Sequence, residues 1–319
     1  MKKTIFLAFV FLLATKTFAQ TGGTSIIETP IIYKNLSGNI SGTLAMPADA
    51  SGKIPVVIIV ADSGPTDRNG NNPQADINTN SYKLLAEGLA KSGIASVRYD
   101  KRMVGESKTA NKLEDLRFDD YVDDAVGLIE MLNDDQRFSK VIILGHGEGS
   151  LVSMLAARDQ PAKAIIMVNT PSDSGDKLVT NQLKSKPQYI QDEFKALLDS
   201  MKKGKIFDNV DLALYPIVTT AKQKYLMSYF RLPPLRIIKL MKAPILIIQG
   251  TTDLQVTVAD ADKFKKAKSD AVEITIAGMN HVLKEAPADN DKNLATYSNP
   301  GLPLRPELVT NIVDFIKKN

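Results

Sequence analysis

The chain contains no cysteine. That excludes structural disulfides, a thiolate nucleophile and every cysteine-based metal site. Histidine is nearly as scarce, with only His146 and His281, so chemistry that needs an imidazole base must run through one of two positions. The longest apolar run is shorter than the roughly 18 residues a spanning helix requires, and stable membrane insertion is not expected. No low-complexity tract or internal repeat interrupts the 319 residues. Charge is also low: the formal +4 falls to +1 without residues 1–19, which hold Lys2, Lys3, Lys16 and no acid. A near-neutral chain gives no electrostatic case for a nucleic-acid partner.

The N-terminus carries a basic start at Lys2 and Lys3, an apolar run over 5–14, and Thr17, Phe18 and Ala19 before Gln20. This pattern predicts a signal peptide over 1–19, cleaved near Ala19-Gln20, and an exported protein, periplasmic or secreted. No cysteine follows the cleavage site, which argues against a lipid anchor.

The remaining residues predict one large α/β domain. Alternating segments over 26–33 and 39–46 read as an antiparallel hairpin at a sheet edge. Short Val/Ile runs then follow at 56–60, 94–99, 141–144, 164–168, 245–248 and 272–276. Helical patterns cover 82–91, 119–132, 151–157, 258–268 and 307–317. Continuous apolar strands separated by helices imply a mostly parallel sheet covered on both faces, with functional loops at the strands' carboxyl ends. Residues 171–242 lack strand patterns and read as helical, best over 188–202 and 212–230. They hold thirteen Lys/Arg and seven Asp/Glu, so the stretch is +6. This organisation predicts a core of 20–170 and 243–319 with an inserted helical cap over 171–242.

Four loops carry candidate chemistry. Val141 to Leu144 runs into Gly145-His146-Gly147-Glu148-Gly149 and then a helix, the strand–turn–helix context of a nucleophile elbow. The central position, which normally bears a hydroxyl or thiol, is Gly147. Asp253 follows the strand at 245–248, where a carboxylate can orient a histidine and stabilise its imidazolium. His281 follows the last strand and is the candidate base, whereas His146 reads as a packing and hydrogen-bonding residue. The Gly-rich loop 61–72 is placed to supply one backbone N–H of an oxyanion hole, from Ser63, with Glu148 supplying the other.

Together these motifs resemble an α/β-hydrolase of the bacterial EstD-type esterase group, near the serine-aminopeptidase-like hydrolases. Ser63-Gly64-Pro65-Thr66-Asp67-Arg68 resembles that group's oxyanion loop. Arg98 through Ser107 resembles its R-x-D-x-R-G-x-G-x-S segment, and the elbow resembles G-H-S-x-G. Asp253 matches the acid and Asn280-His281 the base, in the chain order of α/β-hydrolases. The resemblance implies the α/β-hydrolase fold, a small-molecule ester or acyl substrate, and no metal or organic cofactor.

Three residues depart from the family pattern. Gly147 replaces the serine, Asp62 stands where glycine is usual, and Met103 replaces the glycine after Arg102. Glycine tolerates the strained elbow backbone, so the fold is expected to survive while acyl-enzyme chemistry is lost. Ser63, Ser107 and Ser150 are poor candidates for a relocated nucleophile. Two readings follow. One is a carboxylic-ester hydrolase whose activity is weak or lost, with a water beside Gly147 activated by His281. The other is a pseudoenzyme that binds an acyl, ester or peptide ligand under the cap.

Overall fold

The computed structural model describes residues 25–319; the expected signal peptide lies outside the described residues. Its strands are β1 (Ile26–Asn35), β2 (Gly38–Pro47), β3 (Ile54–Val60), β4 (Ala95–Tyr99), β5 (Lys108–Thr109), β6 (Phe138–His146), β7 (Ala164–Val168), β8 (Ile245–Gly250) and β9 (Val272–Ile276). Among the described residues they form one sheet in the order β1-β2-β4-β3-β6-β7-β8-β9, with β5 attached to β2. The β1–β2 hairpin and the β2–β4 pair are antiparallel, and pairing from β4 through β9 is parallel. This is the mostly parallel sheet, edged by an N-terminal hairpin, that the sequence predicts.

The helices are α1 (Ser81–Lys91), α2 (Phe118–Asp134), α3 (Gly149–Asp159), α4 (Gly175–Gln182), α5 (Gln188–Lys202), α6 (Gln223–Phe230), α7 (Pro234–Ile237), α8 (Val258–Ala267), α9 (Asn290–Leu294) and α10 (Pro306–Lys318). Successive strand side chains point to opposite faces, so each Val/Ile run feeds two cores. Val56, Ile58 and Val60 pack with Phe118, Leu128, Leu151 and Phe264 beneath α2, α3 and α8. Val57 and Ile59 pack with Leu85, Leu89, Leu308 and Ile312 beneath α1 and α10. Burial on both faces is why these strands read as continuous apolar runs.

Residues 171–242 leave the sheet between β7 and β8 and build a cluster of their own around Phe194, Leu197, Leu214, Val218 and Leu226. The helix expected over 212–230 is only partly present. Short 3-10 turns occupy Leu212–Leu214 and Thr220–Lys222, and the α-helix begins at Gln223. Pro216 has no N–H to donate, and Ile217 to Thr220 are four β-branched residues in a row, both poor helix formers. The segment is fastened to the core where Phe118 stacks on Tyr229 at 5.2 Å and the Phe118 N–H donates to Ser228 Oγ at 2.7 Å.

Candidate active site

The loops after β3, β6, β8 and β9 meet at the carboxyl edge of the sheet, where open α/β sheets bind ligands. Register aligns the first two of these loops: Val60 pairs with Gly145, and His146 with Val168 of β7. Gly147 turns the chain at a φ of +52° and donates its N–H to Val168 O at 2.9 Å. Side chains rarely adopt that φ, and glycine does so without strain. The flanking glycines serve close approach. A Cβ at Gly145 would strike the Gly149 backbone, and one at Gly149 would strike the carbonyls of Val60 and Ala61.

Beside Gly147 lies the Asp62 side chain. A Cβ built on Gly147 would overlap Asp62 Oδ1, so the carboxylate fills the place into which an elbow side chain would project. The Glu148 N–H donates to Asp62 Oδ1 at 2.9 Å. Asp62 Oδ2 is 3.0 Å from His281 Nε2, and Asp253 Oδ2 is 2.8 Å from His281 Nδ1. Asp253 is held in turn by the N–H groups of Gln255 and Val256, both on Oδ1. The space that sequence reasoning leaves for an attacking water beside Gly147 is therefore occupied by the protein's own carboxylate. His281 is clamped between two acids.

That clamp sets the charges. Burial alone would lower the His281 pKa, but Asp253 and then Asp62 outweigh it and raise it to about 10. Burial would raise Asp62, yet the His281 ring and the Glu148 N–H hold its carboxyl far below the usual range. At neutral pH the triple is carboxylate–imidazolium–carboxylate. His146 differs: burial, then the nearby His281 charge, lower it to about 4. Its Nε2 lies 2.8 Å from His281 O, which can only accept, so the ring proton is on Nε2. Nδ1 then accepts from Tyr82 O–H at 2.8 Å, and the Tyr82 oxygen accepts the Asp62 N–H at 3.0 Å. His146 thus joins the His281 loop to the Asp62 loop, a hydrogen-bonding role of the kind the sequence suggests.

The other candidates lie as follows. Glu148 presents its N–H to the site while its side chain pairs with Lys101, at 3.3 Å. Ser63 is next to Asp62 and lines the adjoining cavity. Ser150 is fully buried and donates to Gly145 O at 2.8 Å, and Ser107 donates to Asp100 O at 2.7 Å. Both hydroxyls are committed to backbone. Sequence reasoning assigned no role to three contributors, of which Asp100 and Lys101 lie in the R-x-D-x-R segment and Tyr82 in the helix expected over 82–91. Tyr82 braces Asp62 from α1, and Lys101 donates to Asp62 O at 3.0 Å. Asp100 ties the loop after β4 to the loop after β3: it accepts from Arg68 N at 2.8 Å and Arg68 Nη2 at 2.7 Å. The motif residues Arg68, Asp100 and Lys101 thus hold in place the loop that carries Asp62. Among the described residues, no group of three or more His, Asp or Glu could hold a metal ion, and no helix is long and apolar enough to cross a membrane.

Comparison with known proteins agrees with this architecture. The family model described as serine aminopeptidase, S33, matches residues 78–204, which include the elbow. Esterase EstD of Thermotoga maritima is 27% identical over 255 residues, covering 76% of this chain. The chain spans 58% of that relative's length. Among solved structures, Est1E of Butyrivibrio proteoclasticus with ferulic acid bound is similar at a TM-score of 0.60 and 18% identity, covering 90% of this chain and 98% of its own. An esterase of Pyrococcus furiosus matches at a TM-score of 0.60 and 14% identity, over 92% of this chain and 91% of its own.

Proposed function

Taking the chain as a member of the α/β-hydrolase superfamily with esterase relatives, we propose that it is a disarmed carboxylic-ester hydrolase, a binding protein for a small ligand in the cleft after β3. Ester hydrolysis by the chain as it stands is weak or lost. The supporting observation is the Asp62 carboxylate beside Gly147, bonded to both the Glu148 N–H and His281. An acyl-enzyme mechanism needs a nucleophile, a neutral base to take its proton, and a free N–H to hold the oxyanion. Gly147 lacks the first. The second carries a proton that Asp62 and Asp253 stabilise, and Asp62 itself accepts from the third. Asp62 therefore stands in for the negative charge that such a site would otherwise stabilise transiently. Direct water attack meets the same obstacle, because His281 Nε2 already faces a carboxylate.

The test is reconstruction. Gly147→Ser alone is expected to give no short-chain aryl esterase activity, because the new side chain meets Asp62 at an unfavourable φ. Asp62→Gly alone is also expected to give none. Asp62→Gly/Gly147→Ser together free the Glu148 N–H and His281 and are expected to raise turnover at least ~10²-fold over the unaltered chain. High activity of the unaltered chain that disappears in His281→Ala would refute the proposal.

A further inference from the structure

A cavity of about 200 Å³ opens beside the clamp, lined by Asp62, Thr66, Asn72, Thr79, Ser81 and Gln255 among others. An active oxyanion site offers hydrogen-bond donors to an incoming negative charge. Here the Glu148 N–H already serves Asp62 Oδ1. A carboxylate has about four acceptor positions, and Asp62 uses one for that N–H and one for His281. Its side chain remains 19% exposed, so acceptor capacity is left facing outward.

The remaining lining has the same bias. Thr66 donates its hydroxyl proton to Ser63 O at 3.0 Å, Thr79 to Gly70 O at 3.3 Å, and Ser81 to Val282 O at 2.7 Å. The Thr66 and Ser81 oxygens keep acceptor capacity after their only proton is committed, whereas Thr79 Oγ1 is already approached by the Ser81 N–H at 3.3 Å and Ser81 Oγ at 3.0 Å and adds none. No lysine or arginine lines the cavity. Asp62 and Asp253 around one protonated His281 sum to a single negative charge, and the nearby Lys101–Glu148 pair adds none. Among the side chains of the lining, uncommitted donors are confined to Ser63, Asn72 and Gln255.

From this reversal of polarity we infer that the cavity binds a small organic ammonium ion, its N–H groups directed to Asp62 and the neighbouring hydroxyl oxygens. A bare inorganic cation would leave most of the 200 Å³, and the amides of Asn72 and Gln255, without a partner. An anionic ligand would meet a net negative charge with its principal donor already engaged. The inference rests on the proposal that Asp62 permanently occupies the oxyanion site, and it adds the ligand class.

The experiment is calorimetric titration of the chain with three probes of one size, n-butylammonium, 1-butanol and butyrate, at constant sodium chloride and neutral pH. Butylammonium is expected to bind at least ~tenfold more tightly than either other probe, and Asp62→Asn to weaken it at least ~tenfold. Asp62→Gly, which frees the Glu148 N–H and His281, is expected to invert the order in favour of butyrate. Equal or tighter binding of butyrate by the unaltered chain overturns the inference, as does butylammonium binding unaffected by Asp62→Asn. The probe comparison on the unaltered chain needs no variant, so misfolding of a variant does not protect the idea. Esterase activity in the double variant, without a butylammonium preference in the parent, sinks the ammonium site and leaves the disarmed hydrolase standing. His281-dependent hydrolysis by the parent sinks the disarmed hydrolase, whatever the ammonium result.

Discussion

Met103 has a φ of +63° and is partly exposed, so the glycine missing from the motif leaves backbone strain behind. Met103→Gly is expected to raise stability by about 1 kcal/mol, relief of strain outweighing the added chain entropy; urea unfolding measures it. His281 presents the opposite case, a residue stabilised by its surroundings in one protonation state. Asp62→Asn removes one of the two carboxylates that hold its proton. Its pKa should fall from about 10 toward 6.5 without reaching it, because Asp253 still faces Nδ1. An NMR titration of the imidazole would read this directly. A pKa unchanged by the substitution would show that Asp62 does not share the proton.

Elements carry the site through the loops that join them. The loops after β3 and β4 are locked together by Arg68 and Asp100, the latter only 4% exposed in its side chain. Removing one partner of such a pair strands a buried charge. Arg68→Ala should therefore cost about 3 kcal/mol in chemical denaturation, and Asp100→Asn should cost less, since the amide still accepts hydrogen bonds. The strands were legible because burial on both faces writes an unbroken Val/Ile run, as in Val56–Val60, and β1 because half-buried and exposed residues alternate over Ile31–Asn35. The helix over 212–230 was misread because apolar spacing outvoted Pro216 and the β-branched run after it. Strand β5, two residues long, and the five-residue α9 are too short to leave a pattern. At the site, Gly147, Asp253 and His281 could be found because each follows a strand. Asp62 was visible only as a departure from a family pattern. Its partners lie 86 and 219 residues away in sequence, and no local periodicity encodes such a meeting.

Over the whole molecule, the two histidines pull stability in opposite directions with pH. His281 has a folded pKa of about 10 against 6.5 unfolded, so its contribution is complete below pH 6.5 and is lost as pH rises through 10. His146 is lowered to about 4, so the unfolded chain binds the extra proton between pH 6.5 and 4, and stability falls with acidification there. Asp62, also lowered, acts in the same direction at more acidic pH, below its unfolded value of 3.8. Asp124, raised to about 6, and Lys284, lowered to about 8, oppose the histidines over pH 3.8–6 and above pH 8, so the clean window is pH 6.5–8, where urea midpoints are expected to fall as pH rises. A midpoint that rises steadily from pH 6.5 to 8 would contradict the assignment of a protonated His281.

The overlap between a Gly147 side chain and Asp62 also couples the two positions. On the disarmed-hydrolase proposal, a serine placed at 147 alone is driven into an acid, and a glycine placed at 62 alone strips a counter-ion from a protonated ring and supplies no attacking group. On that proposal neither single change yields a hydrolase, so the two positions act as a ratchet, and the cleft is open to selection for whatever else it can hold.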